Sequence, residues 1–160
     1  MHFMERISDG LNRLVYMVVC SMGIAMTLIV AIQVFFRYVL NNSLFWSEEV
    51  ALLILVWLTF LGATVAYHRG AHPGMDEFIR HMPRIVQKAG AILVHLASLS
   101  LFISMITGGT QFAWFVRAQI TPALHLHKWI TMSVVPISGV IFTIHALAFI
   151  LKELSKRHDA

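Results

Sequence analysis

Charge is missing from most of this chain. Its 160 residues include 12 Lys and Arg and 8 Asp and Glu. All of them fall outside four stretches: 14–36, 50–67, 89–116 and 129–151. A surface helix of a soluble protein keeps a charged or polar stripe, and these stretches have none. Each can cross a hydrocarbon core about 30 Å thick, which takes about 20 helical residues. Backbone inside lipid must satisfy its own N–H and C=O groups, which favours helices here. The expected fold class is an all-α integral membrane protein: four transmembrane helices in a single membrane domain, 1–160.

Other absences narrow the reading further. Cys20 is the only cysteine and lies inside the first stretch, which excludes an intrachain disulfide. It is expected to pack as a small apolar residue. There is no low-complexity tract and no internal repeat, so no second domain or linker is expected. The first apolar run is longer than a signal-peptide core of about 7–15 residues, and no small-x-small site follows it. Acids and bases inside a membrane mark ion or substrate pathways. Their absence argues against a proton pump or a carrier acting alone, and no set of residues suggests an enzyme. The formal charge of +4 fits basic membrane loops rather than nucleic acid.

Orientation follows from the loops. With four spans, the N-terminus, the loop after span two and the C-terminus share a side. That side holds Arg6, Arg13, Arg69, Arg80, Arg84, Lys88, Lys152, Lys156 and Arg157; the other holds Arg37, Arg117 and Lys128. Basic residues stay cytoplasmic, so both termini are expected inside. Trp46, Trp114 and Trp129 then fall at the outer boundary, the layer that suits an apolar ring with one polar N–H.

Two segments have the pattern of interfacial helices. From Met75, apolar residues recur at helical spacing between Asp76, Glu77, Arg80 and Arg84, predicting a surface helix over about 75–82. Pro83 divides it from span three. Phe3, Met4, Ile7, Leu11 and Leu14 repeat the pattern at the N-terminus, as a second surface helix or an extension of span one. Gly10 makes a hinge possible.

The uncharged polar residues within the spans pair by depth. His95 and His145 lie equally far from the inner ends of spans three and four; Gln33 and Gln111 match near the outer ends of spans one and three. Interhelical hydrogen bonding is the simpler role. The sharper alternative is an electron-transfer protein of the cytochrome b type, with His95 and His145 as haem ligands. Gly108-Gly109 and Pro136 are the strong candidates for helix breaks, and packing kinks account for them better than ion sites. His68 and His72 are four apart, but Gly70 and Pro73 interrupt that helix and no third ligand has a clear spacing. His125-x-His127 is equally thin. No metal and no cofactor is expected.

Span one ends in Arg37-Tyr38, and Trp46-Ser47-Glu48-Glu49 opens span two. Ser47 is placed to cap that helix, and Glu48 and Glu49 suit its dipole. Then come Trp57-Leu58-Thr59-Phe60-Leu61-Gly62-Ala63, His72-Pro73-Gly74-Met75-Asp76, Thr121-Pro122-Ala123-Leu124, Trp129 and Val135-Pro136. This ordered set resembles the small membrane subunit of tripartite ATP-independent periplasmic (TRAP) transporters, the DctQ-like family, over nearly the whole chain. His125-Leu126-His127 departs from the Gly-Ile-Pro-like segment of that family.

The resemblance implies a scaffold in the bacterial inner membrane. Its partners would be a large, elevator-type membrane subunit, joined as a heterodimer, and transiently a periplasmic solute-binding protein. Together they would drive sodium-coupled uptake of a carboxylate solute such as sialic acid or a dicarboxylate. Residues expected at partner or phospholipid contacts are Arg37, Trp46, Glu48, Glu49, Trp57, Gly62, His72, Asp76, Trp114 and Trp129. Arg37, Glu48 and Glu49 would fix the outer hairpin, Trp57 and Gly62 would mediate helix packing, with Gly62 allowing close approach, and His72 and Asp76 would set the inner turn.

Overall fold

The computed structural model describes residues 2–69 and 84–155. Among them the regular elements are all helices: α1 (His2–Tyr38), α2 (Phe45–His68), α3 (Arg84–Phe115), α4 (Lys128–Met132) and α5 (Val134–Ser155). Four stretches are long and apolar enough to cross a membrane: Arg6–Tyr38, Phe45–His68, Leu96–Phe115 and Lys128–Ile150. These are the four spans expected from the missing charges. The surface helix expected over 75–82 lies outside the described residues. The N-terminal segment is continuous with span one, and α1 runs through Gly10 without a break.

The fourth span is interrupted where proline requires it. Pro136 has no N–H to donate and would clash with the carbonyl four residues back. α4 therefore stops at Met132 and α5 restarts at Val134, which puts Pro136 in a first helical turn. Ser133 bridges the two: its N–H donates to the Trp129 carbonyl at 2.8 Å, and its own carbonyl accepts from Ile137 at 3.2 Å.

The helices pack in the lateral order α1, α2, α5, α3. α5 packs against α1, α2 and α3, and it is the most buried span. α1 and α3 occupy opposite flanks and share no close backbone contact among the described residues. The Gln33–Gln111 pairing is therefore not formed. Equal depth brought those residues to the same level but on opposite sides.

One core cluster joins α1, α2 and α5 through Val15, Leu61, Val65, Val134 and Ile141. The other is aromatic. The Tyr67 ring lies edge-on to Phe102 at 5.3 Å and to Phe142 at 5.5 Å, while Phe102 and Phe142 stack at 4.7 Å. Two buried hydroxyls inside the spans are satisfied by their own helices: Thr64 donates to the Leu61 carbonyl at 2.7 Å, and Ser138 to Val135 at 2.9 Å.

The α3–α5 seam is the closest helix contact. A methyl group at Gly109 would come within 2.9 Å of Pro136 Cδ; one at Gly139 would come within 2.9 Å of Ile106 Cγ1 and 3.2 Å of the Phe102 carbonyl oxygen. Only glycine allows this approach, as small residues do at membrane helix interfaces. Gly62 does not act this way within the chain, since a Cβ there would meet nothing within 4 Å. α2 turns that position away from its neighbours.

Candidate functional site

Two polar junctions hold the helices together, one at each end. At the end where α2 begins, Glu49 in its first turns reaches across to the loop between α3 and α4. One carboxylate oxygen accepts the Ala123 N–H and the other the Leu124 N–H, both at 2.8 Å. Pro122 contributes no N–H, so the next two amides of the Thr-Pro-Ala-Leu turn carry the contact. An ionised acceptor makes both bonds stronger than neutral ones.

The loop is also closed on itself. The Thr121 N–H donates to the Leu126 carbonyl at 2.9 Å, and Thr121 Oγ1 accepts the Leu126 N–H at 3.1 Å. Gln119 and Lys128 pair at the base, where the Lys128 N–H meets the Gln119 carbonyl at 2.9 Å. His125 takes a positive φ of 52°, a conformation uncommon for a side chain with a Cβ. The segment where the sequence departs from the family pattern is thus a tight turn, and Glu49 clamps its other side.

Ser47 does not cap α2. Leu44 occupies the cap position without a side-chain bond, and the buried Ser47 hydroxyl donates to the Leu44 carbonyl at 2.7 Å. Arg37 and Glu48 are exposed and form no ion pair among the described residues. Trp46, Trp114 and Trp129 all lie at this end and are exposed. The Arg117 guanidinium sits 4.0 Å above the Trp114 ring, a cation–π contact.

At the other end, α1, α2 and α5 meet through side chains. Ser8 Oγ lies 2.8 Å from His145 Nδ1, and both residues are almost wholly buried. The His145 ring stands edge-on to His68 at 4.7 Å, and His68 Nε2 lies 3.1 Å from Asp9 Oδ1. His145 Nε2 and Asn12 Oδ1 are buried without a hydrogen-bond partner among the described residues. His145 thus serves as an interhelical tie, to Ser8 and His68; the side chain of His95 lies outside the described residues. His72 and Asp76 also lie outside them. Trp57 is half-buried against the first core cluster, and its indole N–H has no hydrogen-bond partner among the described residues.

The sequence reading missed Ser8, Asp9 and the link between Glu49 and Ala123. A signal existed for Ser8: with Asn12 and Val15 it lies on the inward face of α1 at spacings of four and three. Nothing in the sequence signalled its partner 137 residues away. Among the described residues no group of three His, Cys, Asp or Glu side chains is placed to hold a metal ion. What the two junctions can do is tie helices and a loop into one body.

Known proteins give this body a family. Residues 26–156 match the DctQ component of the tripartite ATP-independent periplasmic transporters. The C4-dicarboxylate TRAP transporter small permease protein DctQ of Vibrio cholerae is 27% identical over 113 residues, covering 66% of this chain and 48% of that relative. The chain thus spans about half the length of that protein. The isethionate TRAP transporter permease protein DctMQ of Oleidesulfovibrio alaskensis is 25% identical over 78% of this chain but only 21% of its own length. The sialic acid TRAP transporter permease protein SiaT of Haemophilus influenzae is 31% identical over 60% of this chain and 14% of its own length. In those two relatives the matching stretch is a small part of a much longer permease. The ordered motifs, the four apolar helices and the match over most of the residues agree: this chain belongs to the DctQ family of TRAP transporter small permease components.

Proposed function

We propose that this protein is the small, non-enzymatic scaffold subunit of a TRAP-type secondary transporter. It braces a large elevator-type subunit in the bacterial inner membrane, with both termini in the cytoplasm. The complex takes up a carboxylate solute, coupled to sodium and delivered by a periplasmic binding protein. Family membership carries the reading. The helix ties support it: a brace must hold its shape while a neighbour moves, and both ends of this bundle are cross-connected.

In this reading Trp46, Trp114 and Trp129 anchor the outer edge among phospholipid headgroups. Arg37 and Glu48 stay available to the partner or the binding protein, and His72 and Asp76 shape the inner turn. Two relatives are named for C4-dicarboxylate and sialic acid, which both carry carboxylates. Discrimination between such solutes belongs to the other components.

The test is reconstitution into liposomes with and without the large subunit and the binding protein. Uptake is expected only from the full set, and only with an inward sodium gradient. Accumulation driven by this chain alone overturns the proposal, and so does a large subunit that transports equally well without it.

A further inference from the structure

The two flank helices turn opposite chemistry outward. On α1, the line facing away from the bundle is Met17, Ile24, Leu28 and Phe35, all more than half exposed. Its polar Gln33 is turned towards the bundle side and is less exposed. The exposed hydroxyls beside that line, Ser21 and Thr27, donate to the Val18 and Gly23 carbonyls of their own helix, an arrangement lipid tolerates. On α3, the buried positions Phe102, Gly109 and Val116 mark the inward face. At 100° per residue, the opposite side carries Ser100, Ser104, Thr107 and Gln111, with Gly108 at its edge, and all five are exposed; Leu96, Trp114 and Phe115 share that side. Apolar Leu101, Ile103 and Phe112 flank it.

A helix facing lipid does not place its polar residues there. The Gln111 carboxamide has no hydrogen-bond partner among the described residues. Gln111 lies less than one turn before Trp114, near the end of the span, where a protein neighbour can take its hydrogen bonds. Gly108 adds open space for a backbone to come close, since a Cβ there would meet nothing within 4 Å. The occupant is suggested by the permease relatives, in which the matching stretch is one part of a single longer membrane chain.

We propose that the outward line of α3, centred on Ser104, Gly108 and Gln111, is the surface that receives a transmembrane helix of the large permease subunit, while α1 faces lipid. This rests on the scaffold reading above and adds which side of the bundle is covered.

The experiment uses the full chain co-expressed with the large subunit of its own organism, in a Cys20→Ser background. Ser104→Cys on α3 and Ile24→Cys on α1 are treated in membranes with a short bismaleimide, opposite single cysteines scanned along the large subunit. Ser104→Cys is expected to give a crosslink at the combined mass, and Ile24→Cys none. In parallel, Gly108→Trp is expected to lower recovery of the large subunit in mild detergent by about tenfold, equivalent to about 1.4 kcal/mol, with Ile24→Trp unchanged. Crosslinks from α1 alone, or from Ser104→Cys to a second copy of this chain, overturn the inference and leave the scaffold reading intact. If the unsubstituted chain recovers no large subunit, the scaffold reading fails and takes the inference with it.

Discussion

α1 and α3 flank the same central pair of helices, yet they are attached to it by different means. α3 is held by backbone proximity. Gly109 rests against Pro136, and Gly139 against the Phe102 carbonyl, so two glycines on two helices set the spacing. α1 is held by side chains: an apolar ridge of Val15, Val19 and Met22, and a polar tie from Ser8 to His145. Their outer faces differ in the same sense. The outer face of α1 is mostly apolar, with only Ser21 and Thr27 as exposed hydroxyls along the span, whereas that of α3 carries several hydroxyls, a glycine and a carboxamide. In a solvent that cannot hydrogen-bond, closeness of backbone and placement of polar groups decide which surface meets protein. The proposed interface makes α3 the covered edge of the bundle and α1 the edge left to lipid.

The largest effect is expected at the glycine seam. Gly139→Leu should destabilise the bundle by about 1–3 kcal/mol, the usual cost of overpacking, measured by unfolding in mixed micelles. Gly108→Leu, on the same flank but outward, should leave that stability unchanged. Equal losses at both would break the distinction between the inner and outer faces of α3. Next is the α1 tie: Ser8→Ala and His145→Ala in a double-mutant cycle should show a coupling of about 0.6–1.7 kcal/mol, the range found for interhelical membrane hydrogen bonds. A coupling near zero would mean that α1 is held by apolar contact alone.

A smaller effect sharpens the contrast between the outer faces. In the isolated chain, Gln111→Leu should be neutral or stabilising by less than about 1 kcal/mol, while Leu28→Gln on α1 should be destabilising by a similar amount. The same sign at both positions would make the flanks equivalent. The most local effect is at the outer clamp. Glu49→Gln replaces a charged acceptor of two amide bonds with a neutral one carrying a single acceptor oxygen. Amides 121–126 should exchange faster with solvent, measured by hydrogen exchange, with the helices unaffected.

The four spans could be read from the sequence because lipid excludes charge regardless of what packs where. The Glu49 region and the Thr121–Leu124 turn were both visible as motifs, but their meeting was not, since nothing in either segment encodes the other's position. Depth can be counted from span ends. Lateral order could not be counted, so Gln33 and Gln111 were paired across a bundle that separates them. Gly62 and Gly109 look alike in sequence; which of them meets a neighbour depends on helix rotation. Pro136 was legible in type, and its effect emerged three residues earlier, at Ser133, because proline disturbs the preceding turn.

α1 is a single rod of 37 residues. At about 1.5 Å per residue it measures about 55 Å, nearly twice the thickness of the oily layer it crosses. It must lean, or stand well clear of one surface, or both. With no joint at Gly10, its first turn and Tyr38 at the far end belong to one continuous helix.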